Sequence, residues 1–164
     1  MDYHIRSVKL SDVVALVDLC AEHAAYEKAA YEPEGKAEKL RAALFEHPQC
    51  LYAWVIEVEK KRVGFATATL EYSTWDAAYF LNMDCLYLKE EARGHGLGEQ
   101  LVLEVVKLAK EKQCVNVQWQ TPTWNTRGIH FYERLGASSK PKVRFFLDHQ
   151  AIETLSERSK YERL

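Results

Sequence analysis

Several things are missing from this chain of 164 residues, and each absence excludes a class of protein. Its longest apolar stretches, such as Leu51 to Val58, are far too short to cross a bilayer. The start, Met1-Asp2-Tyr3-His4, lacks the basic region and apolar run of a signal peptide, which points to a cytoplasmic protein. There is no excess of charge of one sign: 22 Lys and Arg stand against 24 Asp and Glu, a net of −2. A coat for nucleic acid would carry a basic surplus. The four cysteines, Cys20, Cys50, Cys85 and Cys114, form no C-x-x-C pair, so zinc and dithiol chemistry are not indicated and buried, reduced thiols are expected. The six histidines fall in no metal-ligand spacing, and no metal site is expected. There is no repeat, low-complexity tract or linker, so the chain reads as a single domain, residues 1–164.

What is present is an α/β pattern. Tyr3 to Val8 is short and β-prone. Ser11 stands where a helix N-cap belongs, and Val13, Leu16, Val17, Cys20 and Ala24 follow at helical spacing as far as Tyr26. Pro33 and Gly35 break the chain, and Ala37, Leu40, Ala43 and Leu44 predict a second helix ending before Pro48. Leu51 to Glu57, Arg62 to Glu71 and Tyr79 to Leu88 read as three strands joined by short, hairpin-like connections. Helical period returns with Leu101, Val102, Val105, Val106, Leu108 and Ala109. Val115 to Gln120 predicts a fifth strand, Thr126 to Leu135 a helix stopped by Gly136, and Val143 to Leu147 a last strand. The tail from Asp148 is a polar helix whose few anchors are Ile152, Leu155 and Tyr161. This order predicts a mixed, mostly antiparallel central sheet flanked by helices.

The chemistry concentrates at one strand-to-helix junction, Leu86-Tyr87-Leu88-Lys89-Glu90-Glu91-Ala92-Arg93-Gly94-His95-Gly96-Leu97-Gly98. Three glycines alternate within five residues, as a tight turn requires, and such a turn before a helix aims free N–H groups at one point. A phosphate or pyrophosphate is the natural occupant. Two phosphate motifs fail: no G-x-x-x-x-G-K-[ST] occurs, and the sixth position counted from Gly94 is Glu99 and from Gly96 is Leu101, so G-x-G-x-x-G is not met.

What remains is Arg93, Gly96 and Gly98 as R-x-x-G-x-G, followed downstream by Trp124-Asn125 and Phe131-Tyr132-Glu133-Arg134-Leu135-Gly136-Ala137. Together these segments resemble the GNAT N-acetyltransferase superfamily. Tyr26-Glu27, Glu46-His47-Pro48, Val63-Gly64-Phe65-Ala66 and Tyr72…Trp75 are similar to its diamine (spermidine/spermine) N-acetyltransferase branch. That branch has a Glu-Asp pair on the strand before the loop, and this chain has Asp84-Cys85.

The resemblance implies a GNAT-type fold and an N-acetyltransferase that moves an acetyl group from acetyl-CoA, without a metal. The acceptor it implies is a small-molecule primary amine, a polyamine or lysine-like, attacking directly in a ternary complex. The alternatives are another amine (aminoglycoside, amino acid, protein N-terminus) or a non-catalytic acyl-CoA-binding domain. Leu86, Tyr87 and Leu88 would run beside the pantetheine arm. Arg93 and the loop Gly94, His95, Gly96, Leu97, Gly98 and Glu99 would hold the pyrophosphate, and Asn125 would cap its helix and touch the pantetheine. Tyr132 is the expected general acid for the departing thiolate, since a phenol and a thiol ionise near about 10 and about 8.5. Asp84 is either the base that takes the ammonium proton or a simple cation binder. An ordinary aspartate, near about 3.9, is a weak base that burial would have to strengthen. Plain strand alternation puts Asn82, Asp84, Leu86 and Leu88 on one face, whereas a bulge would change that parity and bring Cys85 into the site. Tyr26, Glu27, Trp75 and Trp119 are the expected acceptor-side residues, and the resemblance also implies a homodimer; charge balance and short apolar runs predict no nucleic-acid and no membrane partner.

Overall fold

The structure, a computed structural model, describes residues 2–161, with side chains as far as 158. Two compact units divide the chain, Met1–Ile129 and His130–Leu164.

The first unit is built on a sheet of five strands in the order β1-β2-β3-β4-β5. They are β1 (His4–Ser7), β2 (Tyr52–Val58), β3 (Lys61–Ser73), β4 (Ala78–Leu88) and β5 (Val117–Gln118). The first four pair antiparallel, and β5 joins β4 in parallel. The helices are α1 (Val13–Tyr26), α2 (Lys36–Phe45) and α3 (Leu97–Glu111), with α4 (Thr126–Arg134) beginning in this unit. The expected α/β class and mixed, mostly antiparallel sheet are therefore observed.

Both faces of the sheet are covered, which is why β2 reads as a run, Ala53 to Ile56, buried throughout. On one face Leu16 and Leu19 of α1 and Leu44 of α2 pack on Ala53, Val55 and Phe65. On the other, α3 packs against β2, β3 and β4. Of the α3 positions that bury, Leu97, Leu101, Val105 and Ala109 repeat every four residues along one stripe, with Gly98 and Val102 beside them. Val106, expected in that stripe, is exposed.

Four expectations are corrected. Ser11 is not the cap of α1: it lies in a 3₁₀ turn, Leu10–Asp12, and Asp12 precedes the helix. Asp12 is diverted by two arginines. Its fully buried carboxylate accepts hydrogen bonds from Arg6 (2.6 and 3.1 Å), from Arg62 Nε (2.8 Å) and from the Lys9 N–H (2.7 Å). The fifth strand is two residues long instead of six, because β5 pairs only through Leu81–Val117 and Asn82–Gln118. Cys50 is exposed, although all four cysteines are free thiols as expected.

The fourth correction falls in the second unit. Val143 to Leu147 is no strand. Its residues have β-prone side chains, but a strand is held by pairing, and no described strand pairs with this segment. Val143, Phe145 and Phe146 are largely exposed. Helix α4 ends in this unit as Gly136 predicts. Gly136 takes φ +87°, its N–H donates to the Glu133 carbonyl and the Ala137 N–H to the Tyr132 carbonyl, a Schellman closure. Helix α5 (His149–Tyr161) starts on Asp148, whose carboxylate accepts the Ala151 N–H at 2.8 Å. Its expected anchors Ile152 and Leu155 are half exposed, and the Tyr161 side chain lies outside the described residues.

Candidate active site

Strand β4 and the glycine loop beyond it organise the site. Leu81 and Asn82 are paired on both sides; from Met83 to Leu88 the strand has only β3 beside it. The parting of β5 leaves the outer backbone edge of β4 open, a place where an extended chain rich in amides can add itself as a strand.

The β3–β4 ladder shifts register between Thr67 and Ala68: Thr67 pairs with Cys85 but Ala68 with Met83. Asp84 is the extra residue of this bulge. Plain alternation therefore fails, and of the two open readings the bulge holds. Cys85 and Tyr87 face α1, as Phe65 does, whereas Asp84 stands exposed at the bend. The burial that would strengthen Asp84 as a base is not there in the free chain. Gly64 allows the strands this close an approach. A Cβ there would lie 2.5 Å from Leu88 Cδ2 and 2.9 Å from the Tyr87 carbonyl oxygen.

Past the end of β4 the glycine loop leads into α3. Gly94 (φ +83°) and Gly96 (φ +74°) both take the left-handed conformation, and no atom lies within 4 Å of where their Cβ would be. Glycine is demanded here by backbone angle and not by crowding. Gly96 is the N-cap of α3, and no side chain caps the helix. The first intrahelical bond runs from the Gln100 N–H to the Gly96 carbonyl, at 3.3 Å. Helix geometry thus leaves the N–H groups of Gly96, Leu97, Gly98 and Glu99 pointing outward at the positive end of a helix of 15 residues. Gly94, His95 and Gly96 are exposed beside them. Open strand edge and uncapped amides fit a long cofactor with a thioester arm and a diphosphate.

Arg93 is held against the strand beneath the loop. Its Nε donates to the Leu88 carbonyl at 2.9 Å, and its guanidinium lies 5.0 Å from the Tyr26 ring centre and 5.6 Å from that of Tyr87. It braces the loop against β4 and the end of α1. Tyr26 in turn donates its hydroxyl to Asn125 Oδ1 at 3.0 Å. Asn125 caps α4, taking the Gly128 N–H at 3.2 Å, and its Nδ2 donates to Thr121 Oγ1 at 2.8 Å. A side chain at 128 would collide with the cap, the Asn125 Nδ2 lying 2.4 Å from its Cβ. Tyr87 turns its side chain toward α1, stacking on His23 with ring centres 5.5 Å apart and donating to Glu22 at 3.4 Å. Burial, then the Glu22 carboxylate, raises its phenol above the ordinary value. Glu27 follows α1, its carboxylate 3.3 Å from His23 Nε2.

Trp75 is not brought to this group. It sits fully exposed in the turn joining β3 and β4. That turn is six residues along β3 from Thr67, roughly 20 Å. Trp119 follows β5 and is half buried. Tyr132 lies in the second unit, its ring 5.2 Å from that of Phe131.

A second polar group was not legible beforehand. Under the loop between α1 and α2, the hydroxyls of Tyr31 and Thr67 are buried with no oxygen or nitrogen partner among the described residues. Their neighbours are thiols: Cys20 beside Tyr31 and Cys85 beside Thr67. Burial, reinforced by the Asp84 carboxylate, pushes Cys85 up to about 12, and burial pushes Cys20 up to about 11. Both are protonated at neutral pH. Tyr31 is one tyrosine of nine in a stretch with no regular period, so no pattern singled it out.

The acetyltransferase (GNAT) family matches residues 16–137 by its sequence profile, and the chain belongs to that family. It is an N-acetyltransferase, and acetyl-CoA is the donor that the family uses. A thialysine N-epsilon-acetyltransferase of Bos taurus is 31% identical over 141 residues, covering 81% of this chain and 82% of that protein. A human spermidine/spermine N(1)-acetyltransferase-like protein 1 is 28% identical over 84% of this chain and 21% of its own length. Among solved structures, an aminoglycoside N-acetyltransferase in complex with CoA superposes with a TM-score of 0.76 at 16% identity, covering 90% of this chain and 95% of that one, a likeness of fold.

Proposed function

We propose that this N-acetyltransferase acetylates the primary amine of a small molecule of the lysine or polyamine kind, by direct attack in a ternary complex. The observation that carries this reading is the pairing of an open β4 edge with the uncapped amides at Gly96–Glu99. The relatives' names, a thialysine and a spermidine/spermine acetyltransferase, support the acceptor class. The family match runs from 16 to 137 and supports taking residues 1–164 as one acetyltransferase domain.

The bound donor supplies an activated acetyl thioester. Around it, the Leu86 backbone pairs with the amide-rich arm, while the Leu88 carbonyl is already given to Arg93. The amides of Gly94, His95, Gly96, Leu97, Gly98 and Glu99 receive the diphosphate. Asn125, besides capping α4, borders the arm. Asp84 draws in the ammonium and takes its proton through a water, the seated acceptor burying it. The amine nitrogen then bonds to the acetyl carbon as the carbon–sulfur bond breaks. Tyr132 gives the leaving sulfur its proton, so the products are the amide, the free thiol and one proton passed to solvent. Tyr26, Glu27 and Trp119 flank the acceptor, an aromatic and acidic surround suited to a cation.

The protein works in the cytoplasm as a homodimer. The exposed Val143, Phe145 and Phe146 support a shared surface, since so concentrated an apolar run is costly in water. Light scattering on the purified chain is expected to give twice the 19.0 kDa monomer mass.

Release of CoA thiol, followed across lysine, diamines, spermidine and aminoglycosides, tests the activity. Turnover is expected with the first three, and none with any amine would overturn the reading. Tyr132→Phe is expected to lower kcat by roughly 10²- to 10³-fold while the affinity for CoA holds. An unchanged kcat removes Tyr132 from the chemistry.

A further inference from the structure

Lys36 opens α2, directly after Gly35, which takes φ +72°. A cation in the first turn sits at the wrong end of the helix dipole, so helix stability does not explain it. No carboxylate of the described residues pairs with it. Instead its ammonium lies 3.7 Å from the centre of the Tyr31 ring, whose buried hydroxyl has no oxygen or nitrogen partner among the described residues. The start of α2 thus holds a cation on an aromatic platform supplied by the loop before it.

Across the same cluster the charges are reversed. Asp84 stands exposed at the β4 bulge, next to Cys85, and Glu27 ends α1. Cys20 and Cys85 pack against the same core cluster, and the Cys20 thiol feels both the Asp84 carboxylate and the Lys36 ammonium. A site for a polyamine, a string of cations, gains from acids alone and loses by a lysine. A site with acids at one end and an unpaired lysine at the other suits a molecule with an ammonium and an acid at opposite ends.

We propose that Lys36, seated on Tyr31, receives the acid group of the acceptor and makes the enzyme select amino-acid-type amines over plain diamines. This rests on the acetyltransferase reading above and adds the residue that sets its specificity.

Steady-state kinetics with L-lysine, lysine methyl ester and 1,5-diaminopentane test it, since the three share the reacting amine and differ in the acid. For the wild type, kcat/KM is expected to be at least about 10-fold higher for lysine than for the other two, a difference worth one well-placed charge contact. In Lys36→Gln the lysine-to-diamine ratio is expected to fall to near one, through the KM for lysine. In Lys36→Glu the ratio is expected to invert. Tyr31→Phe keeps the platform and is expected to keep a preference for lysine, whereas Tyr31→Ala is expected to lose it. A wild type that prefers the diamine, or Lys36→Gln lowering both substrates equally with the ratio intact, overturns the proposal and leaves the activity standing. A wild type that acetylates none of the three amines, while binding CoA, overturns both.

Discussion

Two buried polar clusters are attached to the same sheet, and they are built in opposite ways. At the β1–β2–β3 end, Asp12 is fully buried and saturated, with Arg6, Arg62 and the Lys9 N–H all donating to it, and Glu57 taking a further bond from Arg6 at 2.9 Å. Under the α1–α2 loop, the Tyr31 and Thr67 hydroxyls are buried beside the Cys20 and Cys85 thiols, with no oxygen or nitrogen partner among the described residues. A saturated ionic group locks chain segments together, here β1, the turn before α1, and β3. A neutral hydroxyl set against a thiol makes at most weak bonds, so this cluster holds chain segments together far less firmly than the ionic one.

The sharpest way to break this comparison is to remove the saturated carboxylate. Asp12→Ala removes the buried carboxylate that both arginines share, each of them less than a quarter exposed, and leaves Glu57 as their remaining carboxylate partner. We expect a loss of about 3 kcal/mol in urea unfolding, with kcat per folded molecule unchanged. A loss under about 1 kcal/mol would mean that the network is ornamental.

Acid titration gives the next largest effect. Burial by itself would raise the Asp12 carboxyl; the Arg6 hydrogen bond, the Lys9 N–H and Arg62 more than reverse this and hold it well below its ordinary 3.8. A folded value below the unfolded one gives stability that is whole above the ordinary carboxyl range and is lost as pH falls below it. Asp12→Asn is expected to flatten the wild-type decline in stability between about pH 4 and pH 2, seen in thermal melts. Parallel declines would remove Asp12 as the cause.

The unsaturated cluster gives the smallest effect, and its smallness is what separates it from the ionic one. Thr67→Val replaces a buried hydroxyl, which has no oxygen or nitrogen partner among the described residues, with a methyl of similar shape. Stability is expected to stay within about 1 kcal/mol of wild type, on either side. A loss of more than about 2 kcal/mol would show that the Thr67 hydroxyl holds the fold together much as Asp12 does.

Much of the fold was written in periodicity. The stripe on α3, the hairpins and the Gly136 stop all follow from residue type and spacing, because each depends on neighbours within a few residues. The glycine loop was legible for the same reason, since Gly94 and Gly96 are needed for backbone angles set locally. Arg93 was legible only as a charge near that loop. Its use as a brace depends on Tyr26, distant in sequence, and on the Leu88 carbonyl.

Failures occurred where pairing partners decide. Val143 to Leu147 has the side chains of a strand but no described strand beside it. The fifth strand was read as six residues, yet β5 parts from β4 after two pairs. The face that Cys85 shows turns on a single extra residue at Asp84, and alternation cannot announce a bulge.

The order of residues by itself determined the helices, the antiparallel strands and the uncapped amides at the head of α3, since helix period, strand alternation and glycine's freedom at positive φ act over a turn or two of chain. Only the tertiary structure decided which polar groups are saturated. Whether Asp12 finds Arg62, or Tyr31 comes to lie under Lys36, depends on where segments meet in space, and burial sets the cost of each bond made or left unmade.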